Sequence, residues 1–96
     1  MKKYRARLEG FDTGKEGVYT FEDRADLMSR PADDAVAAFF DYANRAIFER
    51  EQVSYELNGV MKHKVRNVVI GMGVLHMQGH DDGLPFTILI NPASEG

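Results

Sequence analysis

Ninety-six residues make one small domain, with enough chain for a single core and little to spare. There is no cysteine, which excludes disulfides, thiolate catalysis and cysteine-bound zinc or iron–sulfur clusters. The formal net charge of −3 is too small to demand a strongly acidic or basic partner, and 44% hydrophobic with 28% charged residues is ordinary for a folded protein.

The basic N-terminus, Met1 to Arg7, lacks the apolar run of a signal peptide, and the apolar run near 68–75 is too short to span a bilayer as a helix. The expected setting is cytoplasmic and soluble, with no membrane contact. Residues 3–9 then alternate: Tyr4, Ala6 and Leu8 fall on one side, and Lys3, Arg5, Arg7 and Glu9 on the other. That is the period of a half-buried strand. Asp12 to Gly17 is a polar, glycine-bearing turn, and Val18 to about Asp23 forms a second strand with Tyr19 and Phe21 on one face. The two strands predict an N-terminal hairpin. Residues 24–29 are compatible with a longer strand or with an approach to a helix.

Pro31 to Arg50 is the one segment with a clear helical period. Ala32, Phe39, Phe40, Ala43, Ala46 and Ile47 fall within about 80° of Val36 on a helical wheel. Pro31 suits the first helical position, with Arg30 before it as the cap. Asp33 and Asp34 favour the amino end and Arg45 the carboxyl end. Tyr42 and Phe48 leave the stripe on opposite flanks, which makes them rim-packing aromatics or partner contacts.

Residues 51–57 read as a strand in which Val53, Tyr55 and Leu57 alternate, although a helix extension is also possible. Asn58-Gly59 would close the strand as a two-residue hairpin turn. Residues 65–77 are the strongest strand. Val68, Ile70, Met72 and Val74 share one face, and Val69, Gly71, Gly73, Leu75 and Met77 the other, so both faces are apolar and the strand belongs inside a sheet. Gly71 and Gly73 mark a bulge or a close approach, with Phe39 or Phe40 expected over one of them. Gly79 to Gly83 reads as a turn. A five-residue loop there would set His76 opposite Phe86, Val74 opposite Ile88 and Met72 opposite Ile90. Pro92 to Gly96 reads as a frayed tail. The order β-β-α-β-β-β predicts a two-layer α+β domain over residues 1–96, with one main helix on an antiparallel sheet of four to five strands.

Four candidate sites emerge. His76, His80, Asp81 and Asp82 are of metal-ligating or acid/base type, but a strand and turn do not give the shared face that paired zinc histidines use on a helix. Lys3, Arg5 and Arg7, together with Lys62, Lys64 and Arg66, lie in two acid-free runs, whereas residues 9–56 between them hold five basic and twelve acidic residues. If those runs met on one side of the sheet, they would attract phosphates, with Tyr4 as a stacking ring. Gly71-Met72-Gly73 lacks the following lysine and helix start of a phosphate loop. Finally, one helix cannot cover both faces of a sheet whose inner strand is apolar on both. Phe48, Tyr42, Leu89 and the 69–77 face are left seeking cover. The leading expectation is a non-enzymatic interaction module that binds a second copy or another protein through its sheet and uses no cofactor. Nucleic-acid binding is the runner-up, and a small metal or acid/base protein is the third reading.

Overall fold

The computed structural model describes residues 1–10, 14–50, 52–77 and 80–93. Strand β1 (Lys2–Glu9) pairs with β2 (Gly17–Asp23), and a short 3-10 turn (Leu27–Ser29) leads into helix α1 (Ala32–Ala46). Strands β3 (Ser54–His63), β4 (Val68–Met77) and β5 (His80–Pro92) follow. All five strands form one antiparallel sheet in the order β2-β1-β5-β4-β3, so β5 lies at the centre and β4 is interior. The fold is α+β, with the single main helix on one face of the sheet.

The alternation in β1 and β2 places Tyr4, Ala6, Leu8 and Phe21 in the core. Val36, Phe39, Phe40 and Ala43 of α1 press onto them and onto Phe86, Ile88 and Ile90 of β5. Aromatic rings fill the space between layers. Phe40 stacks on Tyr55 at 4.4 Å and meets Phe86 edge-on at 5.3 Å, while Phe39 meets Phe21 edge-on at 5.8 Å. Ala46, expected on the apolar stripe, is exposed at the helix end, whereas Ala35 is buried.

The helix begins one residue later than its proline suggests. Pro31 itself is the cap, with the extended ψ of 145° that lets its carbonyl accept from the Asp34 N–H at 2.9 Å. Arg30 sits just outside, where its Nε donates to Asp34 Oδ2 at 2.9 Å. At the far end the Ala43 carbonyl accepts from both Ile47 and Phe48 N–H groups at 2.8 Å, which turns the chain out of the helix. Asn44 then fixes the next segment: its Oδ1 accepts from Val53 N–H at 2.7 Å, and its Nδ2 donates to the Val53 carbonyl at 3.1 Å.

Three expectations are corrected in the second half of the chain. Asn58-Gly59 does not end a strand. It forms an irregularity within β3, where the register with β4 slips between Leu57 and Gly59, and the hairpin turn comes later at 64–67, with Asn67 at φ 54°. Residues 80–83 are not a turn but the start of β5. The positive φ of Gly83 (77°) serves a register slip between Leu75 and Met77 instead of a loop. Gly71 therefore faces Ile88, Gly73 faces Phe86 and Val69 faces Ile90. This differs from the expected register by three residues, an odd number, so the faces of β4 exchange. The Val69, Gly71, Gly73 and Leu75 face is the one beneath the helix.

The glycines explain why that face is chosen. A Cβ on Gly71 would stand 3.3 Å from Val36 and Ile88 methyls, so Val36, and not a phenylalanine, lies over it. A Cβ on Gly73 would strike the Glu56 carbonyl oxygen, which lies within 1.9 Å of the position it would take, at the β3 irregularity. Of the tail, Pro92 still belongs to β5 and the Ala93 N–H bonds the Lys3 carbonyl at 3.0 Å; residues 94–96 lie outside the described residues.

Candidate functional site

No described helix or loop packs over the sheet face turned away from α1. Residues opposite one another in a sheet share a face, so its surface can be read row by row. One row runs Val18, Arg7, Leu89, Ile70 and Met61 across all five strands. The next runs Glu9, Thr87, Met72 and Gly59. Met61, Met72 and Leu89 are 57%, 54% and 37% exposed, and Ile70 is half-buried between them. Gly59 stands opposite Met72 without a side chain, which leaves a shallow hollow of about 270 Å³ bounded by Met61, Ile70 and Met72.

Charge lies at the margins of this apolar band. Lys3, Arg5 and Arg7 project from β1, with Arg7 Nε 3.9 Å from Glu9 Oε1. Glu22 stands opposite Lys3, and Glu56 opposite Val74 on the far side. An apolar centre with a polar rim is the usual composition of a protein–protein contact.

The basic runs do not merge. Lys62 points to the helix side, where its ammonium donates to the Met28 carbonyl and, at 3.0 Å, to the Arg30 carbonyl. It ties β3 to the helix entrance and is not a free cation. Lys64 and Arg66 are exposed in the β3–β4 turn, and the Arg66 N–H donates to His63 Nδ1 at 3.2 Å. Strands β5 and β4 intervene between β1 and β3, a separation of about 14 Å. Tyr4, the expected stacking ring, is fully buried and donates its hydroxyl to the Arg24 carbonyl at 2.6 Å. Burial raises its pKa above the ordinary tyrosine value, an effect opposed by a backbone hydrogen bond from Leu27 and reinforced by Asp23 and Asp26. Every described phenylalanine and tyrosine ring belongs to the core or packs against it, so none of these lies on the open face.

Phe48 and Tyr42 likewise turn inward. Phe48 is 3% exposed, and Tyr42 is half-buried, stacked on Phe21 at 5.8 Å. Both pack against the core on the helix side, away from the open face. His76 projects from the open face with Nε2 3.6 Å from Glu56 Oε1, a pair that is ionic only when the imidazole is protonated. Asp82 is exposed, whereas the side chains of His80 and Asp81 lie outside the described residues. Among the described residues, no three histidine or carboxylate groups converge as a metal site would require.

A larger cleft, about 400 Å³, opens beyond the end of α1 between Ile47, Phe48, Met77 and the exposed Lys15, Glu49 and Arg50. No described buried polar side chain lacks a partner there or elsewhere. No described helix is long and apolar enough to cross a membrane. Comparison with protein-family models, curated proteins and solved structures finds no match to this chain.

The surplus apolar surface is legible in the sequence, and Leu89 lies on the open face as expected, but on β4 the open side is that of Ile70 and Met72 and not that of Val69 to Met77. The signal that would have placed it is the pair Gly71 and Gly73: residues without side chains belong under a close-packed helix, which leaves Ile70 and Met72 outside.

Proposed function

We propose that this chain is a non-enzymatic protein-interaction module, that it works in the cytoplasm, and that it docks through the sheet face opposite α1. The observation that carries this reading is the exposed row of Leu89, Ile70 and Met61 with Met72 beside it, rimmed by Arg5, Arg7, Glu9 and Glu56. Isolated exposed apolar side chains are ordinary, but a contiguous band with a charged margin is characteristic of a contact surface. The absence of cysteine is compatible with a reducing compartment.

The nucleic-acid reading draws on Lys3, Arg5 and Arg7 and, across two intervening strands, on the exposed Lys64 and Arg66, since Lys62 is engaged on the other side. Three cations beside an apolar band, with no phenylalanine or tyrosine ring on that face among the described residues, favour protein over nucleic acid.

A photo-crosslinking amino acid at Met72 tests the reading against one at Ala37, which is exposed on the outer side of α1. Adducts with protein, whether a second copy or another chain, are expected from position 72 and not from position 37. Equal yields from both, or none from position 72, would refute it.

A further inference from the structure

We propose that the occupant of the open face is a second copy of this chain, packed sheet against sheet about a two-fold axis. The proposal rests on the docking reading above and adds the partner and the geometry.

The charge balance favours a self-complementary contact. Lys3, Arg5 and Arg7 on this face are matched by Glu9, Glu22 and Glu56 on the same face. A surface built for an acidic or basic partner would carry one sign in excess. The available area argues for nearly full overlap. Five strands at about 4.8 Å spacing and about eight residues at about 3.3 Å give a face of about 600 Å². Two such faces bury about 1,200 Å², the lower end of what a stable interface needs. The sheet edges are poorer sites. β2 is a seven-residue strand, and β3 is interrupted at Leu57 and Gly59, a break that blunts strand addition.

One axis position satisfies the face. It runs across the strands, midway between the row of Arg7, Leu89, Ile70 and Met61 and the row of Glu9, Thr87, Met72 and Gly59. Each row then lies over the other row of the second copy. Arg7 meets Glu9, Ile70 meets Met72, and Met61 enters the hollow over Gly59. Leu89 lies over Thr87, and the Arg7–Glu9 pairing occurs twice across the axis. Two-fold contacts of this kind close on themselves.

Sedimentation equilibrium on the full chain tests this, with fold checked by circular dichroism. The wild-type mass should rise toward two chains with concentration, and Ile70→Lys should weaken association at least about tenfold. Arg7→Glu and Glu9→Arg should each weaken it, and an equimolar mixture of the two should recover it as a heterodimer. Wild type that stays monomeric at about 0.5 mM, weaker than any useful self-affinity, overturns the second copy; so does a dimer indifferent to Ile70→Lys. A monomer that still crosslinks through position 72 leaves the docking face standing with a different protein, while a monomer without such adducts removes both. A dimer broken by Ile70→Lys whose mixed charge variants fail to recover would overturn the axis.

Discussion

The two faces of this sheet both carry apolar side chains yet differ in their kind and in their cover. The helix face is made of rings and small residues: Phe21, Phe86, Tyr4 and Tyr55 around Ala6, Gly71 and Gly73, all closed over by Val36, Phe39 and Phe40. The open face is made of flexible or branched chains, Met61, Met72, Ile70 and Leu89, with charges close by. Rings at fixed angles specify one packing. Methionines adapt to a partner's shape. The first face holds the core, and the second stays open to solvent.

Substitutions of comparable size on the two faces should separate them most sharply. Phe40→Ala, which removes a ring stacked on Tyr55 and set against Phe86, should cost about 4 kcal/mol in urea unfolding. Met72→Ala, measured in dilute protein, should cost less than about 0.5 kcal/mol because the side chain is already half in water. Near-equal costs would mean the open face is covered within one chain.

The glycines divide next. Gly73→Ala drives a methyl into the Glu56 carbonyl, a backbone atom that moves only with the strand, and should cost about 3 kcal/mol. Gly71→Ala meets only side-chain methyls of Val36 and Ile88 at 3.3 Å, which can yield, so about 1 kcal/mol is expected. Reversal of that order in thermal or denaturant melts would contradict the placement of the β3 irregularity.

An effect of the same size as the Gly71 change concerns the phenols. Tyr4→Phe loses the hydrogen bond to the Arg24 carbonyl and should cost about 1 kcal/mol. Tyr4, Tyr19 and Tyr55 all have pKa values raised chiefly by burial. The folded protein therefore holds these protons more tightly than the unfolded chain does. Stability is intact below the ordinary tyrosine value of about 10 and declines as pH rises from there through the raised native values. Melting temperature recorded from neutral to strongly alkaline pH should show this fall, less steep in Tyr4→Phe.

Much of the architecture was readable from the chain because local pattern and tertiary role agree. Strand β1 has a clean alternation and the helix has acids at its start, so β1 and the first turn of α1 were placed to within a residue, whereas the helix ends at Ala46, four residues short of Arg50. The failures lie where one residue type serves two purposes. Asn58-Gly59 and residues 80–83 carry turn chemistry, but in the fold they form irregularities inside long strands, while Gly79 lies outside the described residues. β4 is apolar on both sides, so alternation cannot say which side the helix takes; the side is fixed by the close approach of Val36 to Gly71. Of the candidate site, Arg5 and Arg7 were legible as an outward face. Lys62 was not, because its partners are carbonyls some 30 residues away in sequence, at Met28 and Arg30.

Whether two copies meet on the sheet face away from the helix is reported directly by the methionines. The chain has five, with Met61 and Met72 on the open face and Met28 in the core. In protein labelled at the methionine methyl carbons, a dilution series by NMR should move the Met61 and Met72 signals together along one concentration curve while Met28 stays still. Signals of Met61 and Met72 that hold their positions from dilute to concentrated protein, or that move only in step with Met28, would contradict the account.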